Sequence, residues 1–109
     1  MKIVFLQSAE DDLKELRRYL RAQFGERTWK SSYEVIKQVT RHLQQFPDSG
    51  TVPPELQGIG AGRYRQVLAG TNRIIYERTP TVIFVHIICD TRRNLGLLLA
   101  QRISRRRPP

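Results

Sequence analysis

The segment Val82-Ile83-Phe84-Val85-His86-Ile87-Ile88-Cys89 restricts the fold more than any other part of the chain. It is apolar at odd and even positions alike, with His86 as the exception. Successive side chains of a strand point to opposite faces, so a run apolar on both suits a strand inside a sheet, with a neighbour on each side. Tyr64 to Ala69 and Arg73 to Glu77 precede it as β-branched and aromatic runs, separated by turns at Gly70-Thr71-Asn72 and Arg78-Thr79-Pro80. Connections this short predict an antiparallel meander. The run ending at Glu77 supplies one neighbour, and the short apolar opening, Met1 to Leu6, is the candidate for the other. The chain ends thereby join in one sheet.

Between the opening strand and the meander the apolar period is helical. Ser8 with Asp11 three residues later resembles a capping box, and Ala9, Leu13, Leu16, Leu20 and Phe24 follow at the spacing of one buried face. Gly25 supplies a stop. Trp29, Tyr33, Ile36, Thr40 and Leu43 repeat the spacing, widened by Val35 and Val39 and ended by Phe46. Two amphipathic helices joined by a few residues lie antiparallel, so the reading is a helical hairpin that needs a sheet to cover. Phe46 to Pro54 is a loop rich in Pro, Gly and Ser. Leu95, Leu98, Leu99 and Ile103 give a short last helix. The expected fold is α+β, β-α-α-β-β-β, with the hairpin on a mainly antiparallel four-stranded sheet. At 109 residues the chain makes one domain, placed at 1–104, with 105–109 as a basic, disordered tail.

Charge narrows the function. The formal net charge is +9. Residues 1–57 hold nine basic and eight acidic side chains, whereas residues 58–109 hold ten arginines, no lysine, and only Glu77 and Asp90. An excess made wholly of guanidinium suggests a recognition surface for carboxylate or phosphate; the plainer alternative is a solvated basic face. The single cysteine, Cys89, excludes a disulfide framework and a Cys-based zinc site. No apolar run approaches a membrane span, and the opening strand runs into acidic residues where a signal peptide would have a cleavage site, so a soluble cytoplasmic protein is expected. No phosphate loop, His/Asp metal spacing or Ser/His/Asp set is present, and no cofactor is implied.

The order of elements, with the opening strand before Ser8-Ala9-Glu10-Asp11-Asp12-Leu13, Phe46-Pro47 with Gly50, Pro54-Glu55-Leu56, Tyr64-Arg65 to Arg73-Ile74-Ile75-Tyr76, and Ile87-Ile88-Cys89-Asp90-Thr91-Arg92-Arg93-Asn94, resembles the ParE branch of the RelE/ParE superfamily of toxin–antitoxin toxins. The chain departs from many members at Cys89 or Asp90, where they carry His, and at Asn94, where they carry Asp. The resemblance implies one of two activities. RelE-like members are ribosome-dependent mRNA endonucleases; ParE-like members keep the scaffold and inhibit DNA gyrase. Cleavage by a 2′-hydroxyl needs a proton acceptor and a donor, and arginine is poor at both. After Arg92 the chain reads Arg93-Asn94-Leu95-Gly96-Leu97-Leu98-Leu99-Ala100-Gln101, without Tyr or His. The reading favours a gyrase-directed toxin with no catalytic residues, then the nuclease, and last a non-catalytic basic nucleic-acid-binding domain.

Arg92, Arg93 and Asn94, just past the interior strand, are the foremost target-binding candidates, with Arg65 and Arg73 beside them. The alternative for the first three is that they cap and charge the last helix. Arg73 is assigned either to target contact or to pairing with Glu77 on the solvent side of the sheet. His86 is read as a satisfied interior histidine, His42 as surface, Cys89 as inert, and Trp29 and Tyr33 as core. The implied partner is a cognate antitoxin, acidic and disordered until bound, that places leucines against Leu16 and Leu20 and acids against Arg17, Arg21 and Arg73. No membrane partner is expected, and direct nucleic-acid binding is the weakest of the readings.

Overall fold

The computed structural model describes residues 1–58 and 62–106, with side chains as far as Arg102 in the last helix. The elements run β1 (Lys2–Phe5), α1 (Gln7–Phe24), α2 (Glu26–Gln45), a single 3-10 turn (Pro54–Leu56), β2 (Tyr64–Ala69), β3 (Asn72–Arg78), β4 (Val82–Asp90) and α3 (Leu95–Arg106). The sheet order is β1-β4-β3-β2, so the doubly apolar run is interior and β1 is its second neighbour. β2, β3 and β4 form the antiparallel meander, while β1 lies parallel to β4, pairing Lys2 to Phe5 with Val82 to Val85. The sheet is therefore mixed.

β4 is apolar on both faces, His86 and the terminal Asp90 apart, because both faces are covered. Ile83, Val85 and Ile88 face the α1–α2 hairpin with Ala9, Ile36 and Leu43. Ile87 and Cys89 face the opposite side with Leu56, Leu95, Leu98 and Leu99, so α3 and the 3-10 turn form a second layer. The register slips by one residue between β3 and β4: Tyr76 opposes Val85, Ile75 opposes Ile87, and His86 is the extra residue. Such a bulge switches the alternation of faces part-way along the strand. His86 is buried, with Nε2 at 3.0 Å from a Glu77 carboxylate oxygen and its ring edge-on to Tyr64.

Several expectations about the helices need correction. The Ser8–Asp11 capping box does not form: α1 begins at Gln7 with Leu6 at its N-cap and no side-chain cap. Ser8 Oγ instead donates to the His86 carbonyl at 3.0 Å, and Asp11 accepts from the Gln7 amide. Phe24 and Phe46 are 61% and 54% exposed, and Tyr33 and Val35 sit at the rim while Trp29 beneath is buried. These exposed residues sit toward the ends or the rim of the two helical stripes, away from the buried centre at Ala9, Ile36 and Leu43. Arg73 does not pair with Glu77, which is engaged by His86 and Arg63. α3 runs from Leu95 to Arg106, with no glycine or proline between Leu97 and Arg106 to stop it. Packing of Ile103 and contacts of the Arg105–Arg107 side chains lie outside the described residues.

Geometry requires glycine at Gly25 and Gly50, among other positions. Gly25, at φ +94°, ends α1 with its N–H on the Leu20 and Arg21 carbonyls and opens α2 at once. At Gly50 a Cβ would stand 2.5 Å from the Tyr76 hydroxyl and 2.6 Å from the Gln66 carbonyl. That hydroxyl donates to Pro47 O at 2.8 Å and accepts from Gly50 N–H at 3.0 Å, pinning the loop that leads into the 3-10 turn.

Candidate functional site

The loop fixed by Tyr76 delivers Glu55 to the sheet, and Glu55 meets Arg73. The Arg73 side chain is only 6% exposed, and its guanidinium grips both carboxylate oxygens of Glu55. It also donates to Gln66 Oε1 at 3.2 Å and to the Arg93 carbonyl at 2.8 Å. Hydrogen bonds from Arg73 hold the Glu55 carboxyl below its usual range, and the same bonds raise the guanidinium further. Arg73 thus joins the 3-10 turn, β2, β3 and the 90–94 turn. It is a structural node, and through Arg93 O it sets where the neighbouring arginines stand.

The 90–94 turn is fixed from within as well. Asp90 accepts from the Arg92 N–H at 2.8 Å and from its guanidinium at 2.9 and 3.2 Å, which lowers the Asp90 pKa. The Arg93 N–H donates to Asp90 O, and Asn94 Oδ1 accepts from Leu97 N–H at 3.0 Å, capping α3. Asn94 therefore serves the helix start, the alternative anticipated for it. Arg92 reaches solvent with an 89% exposed side chain. Arg93 is exposed and makes no ion pair among the described residues.

Beside this turn lies a groove of about 730 Å³. One wall is α1, with Leu16, Tyr19, Leu20 and Phe24; the floor is the end of β4 from Ile88 to Asp90; the rim carries Arg92 and Arg93. Leu16 and Leu20 are half-buried, while Tyr19 is 57% exposed and packs edge-on against Phe24. Asp12 and Arg102 close the inner end with an ion pair at 2.5 Å. Burial pushes the Cys89 thiol up, so it stays protonated. Among the described residues no cluster of His, Cys, Asp or Glu could hold a metal ion.

Four of the anticipated residues, Leu16, Leu20, Arg92 and Arg93, thus share one groove. The others do not. Arg17 and Arg21 lie on the outer face of α1, where Arg21 pairs with Glu26. Arg65, on the edge strand β2, donates to the Gly50 carbonyl at 3.0 Å. Half of the ten arginines in the second half are engaged by carboxylates of the chain itself. Arg63, Arg73, Arg78, Arg92 and Arg102 all form ion pairs, three of them with Glu55, Asp48 and Asp12 from the first half. Nothing in the sequence marks Tyr19 or the Asp12–Arg102 pair as part of a site, because Tyr19 lies off the buried stripe and the ion pair spans 90 residues.

A family model described as "ParE toxin of type II toxin-antitoxin system, parDE" matches residues 3–94. The chain belongs to the ParE toxin family. The match begins in β1 and ends at Asn94, so it includes the α1 wall, the β4 floor and the arginine rim of the groove, while Leu98 and Arg102 of α3 lie beyond it. A solved structure described as "Chromosomal ParDE TA system from P. aeruginosa" shares the fold at a TM-score of 0.67 and 15% identity, covering 83% of this chain and 95% of that one. Among curated proteins nothing matches the chain. In this ParE-family chain the groove carboxylates Asp12, Glu15 and Asp90 are each held in an ion pair, with Arg102, Arg18 and Arg92.

Proposed function

We propose that this ParE-family toxin acts by docking, that its target is DNA gyrase, and that an acidic antitoxin, disordered until bound, neutralises it. The carrying observation is the groove itself: an apolar wall of Leu16, Tyr19, Leu20 and Phe24 facing the Arg92–Arg93 rim, with its carboxylates tied to arginines. A carboxylate committed to a guanidinium is a poor proton acceptor, which favours binding over chemistry. Arg73, buried on Glu55, would support the turn while Arg92 and Arg93 make contact. Of the candidate contacts, Leu16, Leu20, Arg92 and Arg93 form the main surface, with Arg17 and Arg21 available to a partner that wraps over α1 and Arg65 to one that reaches β2.

The test is gyrase supercoiling with purified toxin. Inhibition by the toxin alone, relieved by the antitoxin, supports the reading; full supercoiling at toxin excess contradicts it. The nuclease reading has one observation in its favour, the Tyr19 phenol on the groove wall shared with Arg92 and Arg93. It requires message cleavage on ribosomes that Tyr19→Phe abolishes.

A further inference from the structure

β1 covers only the first half of β4. Its pairing stops at Phe5 opposite Val85, and Leu6 N–H on the Val85 carbonyl is the last main-chain bond along that edge. Beyond it, side chains take over: Ser8 and Arg102 donate to the His86 carbonyl at 3.0 and 2.9 Å, and Asp12 accepts from Ile88 N–H at 2.9 Å. Thr91 N–H donates to Thr71 O in the opposite direction, toward β3, so Ile87, Cys89 and Thr91 face β3 while Ile88 and Asp90 face the groove. The Ile88 carbonyl and the Asp90 N–H therefore point into the groove, past the reach of both β1 and Asp12.

Those two groups have a direction. In a parallel ladder one residue gives its N–H to the carbonyl of residue i−1 on its neighbour and takes the N–H of residue i+1. The Ile88 carbonyl and Asp90 N–H are such a pair, with Cys89 between them. Antiparallel pairing at Ile88 would need the N–H that Asp12 holds. We infer that an extended antitoxin segment enters the groove parallel to β4, in the sheet position that β1 vacates, and bonds to Ile88 O and Asp90 N–H. Its apolar side chains lie on Leu16 and Leu20, and an acidic side chain reaches Arg93, which makes no ion pair among the described residues. The inference rests on the antitoxin reading above and specifies how that partner is gripped.

The experiment is residue-resolved amide exchange and intermolecular NOE measurement on the isotopically labelled toxin, alone and with the antitoxin encoded in the same operon. In the free toxin Asp90 N–H should exchange far faster than Ile87 and Cys89 N–H, which bond to β3. In the complex it should slow by roughly 100-fold or more, beyond any slowing shared with Ile87 and Cys89, with NOEs in a parallel-strand pattern from the antitoxin to Cys89 and Asp90. A tight complex with Asp90 exchange unchanged overturns the inference and leaves the antitoxin reading standing. Failure to form any complex overturns both. Protection of Asp90 in the toxin alone as its concentration rises assigns the groove to a second copy and also overturns the inference.

Discussion

Asp12 and Arg102 meet at 2.5 Å across 90 residues of sequence, and between them they finish the edge of β4 where β1 ends. Asp12 takes the Ile88 N–H and Arg102 the His86 carbonyl, so one ion pair fastens α1, β4 and α3 together. Both side chains are largely buried, at 17% and 16% exposure. Arg102→Ala leaves the largely buried Asp12 carboxylate without its counter-charge, with only Ile88 N–H still on it and Ser8 still on the His86 carbonyl, and should cost about 3 kcal/mol. Adding Asp12→Asn should recover part of that loss, because the stranded charge is removed; urea unfolding of the two variants checks it.

The Gly50–Tyr76 contact is steric. Gly50→Ala places a Cβ against the Tyr76 hydroxyl and the Gln66 carbonyl, and should destabilise by about 2–3 kcal/mol. Tyr76→Phe keeps the shape and loses two hydrogen bonds, so its cost should be about 1–2 kcal/mol. If thermal unfolding puts Gly50→Ala level with the wild type, the packing of this loop is wrong.

Glu55 gives the fold an acid limit. Its folded pKa is depressed by Arg73, so its stabilisation is complete above the unfolded carboxylate range, near pH 4.3, and disappears as pH falls through the lower folded value. Glu55→Gln should flatten stability against pH between about pH 4.5 and 2 relative to wild type, with the chain less stable at neutral pH. Since Glu55 is 35% exposed, solvent screening keeps the effect modest. An unchanged acid slope in denaturant titrations would contradict the pairing.

Arg93 is the rim charge with least to do inside the fold. Arg93→Glu should leave stability within about 0.5 kcal/mol while weakening antitoxin binding at least about 10-fold. Arg17→Glu, on the outer face of α1, should weaken it less. Titration calorimetry on both variants decides whether the rim or the helix face carries recognition. Tyr19→Phe should retain growth arrest, since the docking reading gives the phenol no proton to move.

What the sequence revealed and what it hid divide by range. The interior place of β4 was legible because an eight-residue run apolar on both faces has few other uses, and the hairpin was legible from its helical period. The partner of Arg73 was not: Glu55 reaches it only because a loop pinned by Tyr76 turns back on the sheet, and no spacing encodes that. The bulge at His86 is a backbone register change without a residue signature. Ser8 and Asp11 matched a capping pattern, yet Ser8 found the His86 carbonyl. For the same reason the charge asymmetry of the two halves misled: Asp12, Asp48 and Glu55 cross over to neutralise arginines of the second half. Among the described residues the groove offers partners two rim arginines, a smaller and more specific surface than an arginine-covered sheet.

Gyrase supercoiling with purified toxin tests the central claim most directly. Wild-type toxin should block supercoiling, Arg93→Glu should block it far less, and Tyr19→Phe should block it as wild type does. Supercoiling left intact at toxin excess, with messages cut on ribosomes by the wild type and spared by Tyr19→Phe, would contradict the account.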